Sequence, residues 1–154
     1  MPPLLLKNPR ALKEMIGREI GVTEWFQITQ QRVHQFAEAT EDRQWIHINR
    51  ERASHESPYG TTIAHGFLTL SLIGYFVKEL IEIQEGVGYA VNYGLNRVRF
   101  PAPVPSDSKI RARIFLLAWK ELPDSIEVIF KVTIESDQSE KPSCLAEWIV
   151  RYYA

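Results

Sequence analysis

Ile63-Ala-His-Gly-Phe-Leu-Thr-Leu-Ser-Leu-Ile-Gly-Tyr-Phe-Val77 is the most hydrophobic run in the chain, and the fold turns on how it is read. It carries His65 and is shorter than the roughly 20 apolar residues that a membrane helix needs. It therefore predicts a buried helix, extending from His65 to Ile83. Both faces of that helix are apolar until Lys78, Glu79 and Glu82 appear, so it has to be covered nearly all round.

The downstream chain supplies the cover. Tyr89 to Phe100, Lys109 to Lys120, Ser125 to Glu135 and Leu145 to Tyr153 all have strand character. In the second of these, Ile110, Ala112, Ile114 and Leu116 alternate with Lys109, Arg111 and Arg113. In the third, Val128, Phe130, Val132 and Ile134 alternate with Ile129, Lys131 and Thr133, the period of two that lays one face on a core. Leu122-Pro-Asp-Ser125 is a turn signal and Ser136 to Pro142 a longer one, which predicts an antiparallel meander of three strands. Pro101, Pro103 and Pro105 each remove a ladder donor, so the chain bends there or lies on an edge.

Upstream, Asn8, Pro9 and Gly17 read as the N-cap, first residue and stop of a short helix. Gly21 to Ile28 reads as a strand. Thr29 caps a helix with Val33, Phe36, Ala37 and Thr40 at helical spacing, ending near Glu41 and Asp42. Polar residues from Asp42 to Gly60, closed by Ser57-Pro-Tyr-Gly60, predict mostly loop with one helical turn around Arg50 to Ser54. An apolar helix followed by amphipathic strands is the outline of one sheet curled around one helix, an α+β arrangement. At 154 residues and 45% apolar composition, residues 1–154 are expected to form a single domain.

Eighteen basic and 19 acidic residues leave a formal charge of -1, too little field to hold nucleic acid or an anionic membrane, and neither partner is expected. A single cysteine, Cys144, excludes an internal disulfide and a multi-Cys zinc site and reads as small apolar filler. Met1-Pro-Pro-Leu-Leu-Leu-Lys7 lacks the length, leading charge and cleavage pattern of a signal peptide, so a cytoplasmic location is expected. His34 and His55 have no Cys, Asp or Glu at metal-site spacing, and no metal site is expected.

Two stretches carry the chemistry: Phe36-Ala-Glu-Ala-Thr-Glu-Asp42-Arg-Gln-Trp-Ile-His47-Ile-Asn and Gly60-Thr-Thr-Ile-Ala-His65-Gly66-Phe67. The first resembles the hydratase 2 motif of MaoC-like dehydratases, in which a helix ends in an Asp and a His follows five residues later. The second resembles the His-Gly step that opens the central helix of that family, and Asn92 to Pro105 resembles its strand over the helix. The likeness runs from about Gly21 to the end and is closest to small single-domain 3-hydroxyacyl-thioester dehydratases and the nodulation protein N group. Gln44 and Trp45 stand where the motif has Asn and Pro, and Gly74 where some hydratases carry Ser.

The resemblance implies a hot-dog fold and reversible hydration of trans-2-enoyl thioesters to (R)-3-hydroxyacyl thioesters, with Asp42 and His47 as the catalytic pair. The residue types suit the reaction. Carboxylates ionise near pH 4 and imidazoles near 6.5, so both can accept a hydrogen bond from one water, one taking its proton while the other orients it or returns a proton to C2. The Gly66 N–H, at the start of a buried helix, is placed to hold the thioester oxygen. Gln44, Trp45, Ile63 and Tyr93 are the further candidates for the substrate pocket, and His65 is expected to be held by a backbone hydrogen bond. No cofactor is expected beyond the coenzyme A or acyl carrier protein thioester of the substrate, and the resemblance implies a homodimer. Two alternatives stay open: a thioesterase of the same fold, which wants a carboxylate on the central helix where this chain offers none before Glu79, and a non-catalytic acyl-binding protein.

Overall fold

A computed structural model describes residues 2–154. In chain order its elements are β1 (Leu4–Leu6), a 3₁₀ helix (Pro9–Met15), β2 (Arg18–Val22), β3 (Phe26–Gln27), α1 (Gln30–Thr40), α2 (Trp45–Ile48), α3 (Arg50–Glu56), α4 (Gly66–Ser71), α5 (Ile73–Leu80), β4 (Ile81–Ile83), β5 (Tyr89–Arg99), β6 (Lys109–Glu121), β7 (Ser125–Ser136) and β8 (Ser139–Tyr153). The main sheet is antiparallel throughout, in the order β2-β6-β7-β8-β5 with β3 also on β6.

The alternation read from the sequence sets which face of the sheet is covered. Ile110, Ala112, Ile114 and Leu116 of β6 and Val128, Phe130, Val132 and Ile134 of β7 are all fully buried. They join Cys144, Ala146, Trp148 and Val150 of β8 in one core with Leu68, Ile73, Phe76 and Val77 of α4 and α5. The sheet thus wraps the helical segment, the hot-dog arrangement. Thr29 caps α1 by accepting from the Arg32 N–H, and Asn8 caps the 3₁₀ helix by accepting from Arg10.

Five features differ from the sequence reading. The single long helix from His65 to Ile83 is two segments. At Leu72 the N–H turns to Thr69 O, a tighter turn that restarts the helix as α5. The helix then ends at Leu80, because Ile81-Glu-Ile83 alternates with period two and pairs in parallel with Leu4–Leu6, satisfying its backbone as a strand. The strand expected over Gly21 to Ile28 is divided into β2 and β3, both hydrogen-bonded to β6.

The loop expected from Asp42 to Gly60 holds two short helices, α2 and α3, the latter capped by the Asn49 side chain on the Arg52 N–H. The turn expected from Ser136 to Pro142 is tight, and β8 starts at Ser139. Pro142 is tolerated there because β5 has already ended opposite Leu145 and Pro142 falls in the irregular step of the β7 pairing between Ile134↔Cys144 and Ser136↔Ser139. Among the described residues no helix is long and apolar enough to cross a membrane.

Candidate active site

Asp42 follows α1 directly. Glu41 takes a left-handed conformation, φ 63°, which stops the helix and swings Asp42 off its axis. His47 lies in the single turn of α2 and is buried, 8% exposed. Its Nδ1–H donates to Ile63 O at 2.8 Å. A carbonyl oxygen only accepts, so this bond fixes the tautomer and leaves Nε2 with a bare lone pair. Its backbone is held too: the Gln30 side-chain amide donates to His47 O at 2.7 Å.

His65 stands just before α4. Its Nε2–H donates to the backbone O of Asp42 at 2.9 Å, the backbone hold expected of it. Its ring stacks on that of His47, with centroids 3.7 Å apart and planes at 22°. One donor atom from each of Asp42, His47 and His65 lies within 4.8 Å of the other two. A single metal ion needs in-plane lone pairs that converge on one point. Two nearly parallel rings in a face-to-face stack direct theirs side by side. The cluster is therefore better suited to gripping a water than to chelation.

Burial disfavours the imidazolium and pushes His47 below the usual imidazole value; the Ile63 carbonyl raises it in part, nearby His65 lowers it and the Asp42 carboxylate raises it. The net direction keeps Nε2 available as a base at neutral pH.

Gly66, the first residue of α4, has an N–H with no acceptor inside the helix. A Cβ at this position would stand 3.1 Å from the Phe100 ring, so glycine allows the ring to lie flat on the helix entrance. A cleft of about 200 Å³ opens here, lined by Ile63, Gly66, Thr69, Phe100 and Val104 among others. It adjoins the Asp–His pair through Ile63, whose carbonyl holds His47. A larger groove of about 540 Å³ runs between α5 and strands β5 and β8, past Gly74, Val77, Asn92, Trp148 and Tyr152.

Not every candidate reaches the site. Gln44 does, with its Nε2 3.4 Å from Asp42 Oδ1. The Trp45 ring instead carries the Arg52 guanidinium at 4.3 Å. Tyr93 is 56% exposed and lies under Arg151 at 3.5 Å. Its neighbour Asn92 lines the groove, accepting from Trp148 Nε1 at 3.1 Å.

Gln30 and Thr62 escaped the sequence reading. The Thr62 hydroxyl donates to Gln30 Oε1 and lies 2.8 Å from the Ser106 hydroxyl, and the Gln30 N–H donates to Asp107 Oδ1 at 3.1 Å. This buried polar chain anchors α2 from below. A glutamine after a helix cap reads as a solvent-facing residue, so spacing carried no signal for it.

An antiparallel sheet closed over a helix, with a carboxylate–imidazole pair at the entrance to that helix, defines a hot-dog domain equipped for acid–base chemistry. The MaoC-like domain family matches residues 11–138. The 3-hydroxyacyl-thioester dehydratase Z of Mycobacterium tuberculosis is 47% identical over 139 residues, 90% of this chain and 91% of the relative. Nodulation protein N of Rhizobium leguminosarum bv. viciae is 43% identical over 136 residues, 87% of this chain and 84% of the relative. Of solved structures, a monoamine oxidase regulatory protein from Archaeoglobus fulgius superposes with a TM-score of 0.77 at 21% identity, covering 99% of this chain and 98% of its own. An R-hydratase from Pseudomonas aeruginosa gives 0.70 at 20% identity, covering 90% and 81%. The chain belongs to the MaoC-like dehydratase family.

Proposed function

We propose that the protein is a hydro-lyase that adds water reversibly to trans-2-enoyl thioesters, giving (R)-3-hydroxyacyl thioesters, with Asp42 and His47 as the catalytic pair. The observation that carries this reading is the approach of the Asp42 carboxylate to a His47 ring whose Nε2 is bare. A water held between them loses a proton to the site as its oxygen bonds to C3. The C2–C3 π electrons move toward the thioester oxygen, where the Gly66 N–H donates to the developing enolate. Protonation of C2 restores the thioester carbonyl, so the two hydrogens of the water end on the C3 hydroxyl and on C2, and the site regains its starting charge. The 47% identical dehydratase supports the same chemistry.

The test is to incubate the protein with crotonyl-CoA and longer enoyl-CoAs, follow loss of the conjugated double bond, and resolve the product by chiral chromatography. Release of free CoA without loss of the double bond would favour the thioesterase. Acyl-CoA binding with no turnover at any chain length would favour the non-catalytic binder.

A pH profile follows from the lowered His47. A base works unprotonated, so kcat/KM for hydration is expected to hold steady at neutral pH and to fall on the acid side with a midpoint below 6.5. A limb centred at or above that value contradicts the assignment.

The chain is proposed to act as a homodimer. Strand β5 ends the sheet with one edge unpaired, and Tyr89, Val91, Tyr93 and Leu95 along it are all exposed. Such an edge is a template for a second copy. Sedimentation is expected to give a dimer, and Val91→Lys with Leu95→Lys to shift it to monomer; an unchanged sedimentation coefficient would assign the interface elsewhere.

A further inference from the structure

We propose that His65 is a positioning residue for hydration, holding the Asp42 backbone by a hydrogen bond and the His47 ring by stacking, so that one side chain fixes both reacting groups. This rests on the hydratase reading of Asp42 and His47 and adds a residue to it.

His65 occupies the N-cap position of α4 but does not cap it: its side chain makes no hydrogen bond to the first turn. Ser, Thr, Asp or Asn would serve a cap better. The imidazole reaches instead to Asp42 O at 2.9 Å and lies flat on His47, with Phe36 of α1 against it at 5.0 Å. It is 3% exposed, and its Nδ1 is buried with no partner among the described residues. An orphaned acceptor costs free energy, so something about the imidazole offsets it. Phenylalanine would keep the stack and avoid the orphan; glutamine would keep a donor, since its Nε2, like that of histidine, lies three bonds from Cβ. The imidazole combines a flat face with that edge N–H in one small ring.

Asp42 needs such a hold. It sits just beyond the left-handed Glu41, and among the described residues its carboxylate accepts only a long hydrogen bond, from Gln44 Nε2 at 3.4 Å. A misplacement of about 1 Å in reacting groups costs on the order of 10²-fold in rate.

The test compares full-length wild type with His65→Ala, His65→Gln and His65→Phe. With crotonyl-CoA, the alanine variant is expected to lose about 10²-fold in kcat with KM within about threefold, and the glutamine and phenylalanine variants each to recover roughly tenfold, one hold apiece. The thermal midpoints of those two variants should stay near that of wild type. The proposal is overturned by an alanine variant within threefold of wild type, by glutamine and phenylalanine doing no better than alanine, or by losses that merely track the folded fraction.

A second measurement needs no turnover. Imidazole ¹⁵N spectra of His47 are expected to show the Nδ1–H tautomer that Ile63 O fixes in both proteins, with sharp ring signals in wild type and exchange-broadened ones in His65→Ala, where the stacked ring is gone. An unchanged spectrum overturns the hold whatever the enzyme does. Broadening in His65→Ala of a protein whose wild type hydrates no enoyl thioester would overturn the hydratase reading and leave the hold standing.

Discussion

Replacing His47 by glutamine is expected to lower enoyl-thioester hydration by about 10²- to 10⁴-fold, the range that acid–base groups contribute. Glutamine places an amide near the position of Nε2, but an amide takes up no proton at neutral pH. The effect should fall on kcat, because the imidazole lone pair matters most when the water oxygen commits to C3. Asp42→Asn is expected to lose a comparable amount, since the amide keeps the shape of the carboxylate and removes its charge. The two losses should not multiply. Both side chains serve one water, and groups that act as a unit are non-additive. Single variants that each retain turnover within threefold of wild type would remove this pair from the chemistry.

Phe130→Ala is the largest expected stability effect, a loss of about 3–5 kcal/mol in denaturant titration. Phe130 is fully buried at the centre of β7, and its ring stacks on Trp148 at 5.8 Å. Trp148 in turn lines the groove between α5 and β5. The cavity left by truncation would open next to that groove, so apolar acyl groups are expected to bind less selectively in whatever fraction remains folded. A loss below about 1 kcal/mol would mean that the core closes over the gap far better than its packing on Trp148 allows.

The parts of the fold legible in the sequence are those with a long, clean period. Strands β6 and β7 are each a dozen residues or so, long enough for alternation to separate inside from outside, and every position read as inward in them is buried. Asp42 and His47 were legible through the spacing of a family motif, and the structure brings them together. What escaped notice is short or depends on distant contacts. α2 has four residues, barely one turn, too few to show periodicity. Ile81-Glu-Ile83 continues an apolar helix in sequence and becomes a strand only because Leu4–Leu6 lies beside it. The register of β5 shifts between Asn92 and Gly94, so inside and outside could not be assigned there by counting, and the groove-lining role of Asn92 was not read. Gln30 acquires its role from a carbonyl 17 residues away.

The buried thiol of Cys144 has a practical use. It is the only cysteine in the chain, faces the core opposite Ile134, and burial pushes its thiol up to about 11, so the folded protein offers alkylating reagents almost no thiolate. Incorporation of iodoacetamide then becomes a clock for opening of the central strands: each molecule tagged has exposed the middle of its sheet at least once. Acyl-CoA ligands that stabilise the closed sheet should slow that clock, giving an affinity readout for candidate thioesters before any catalytic assay is run.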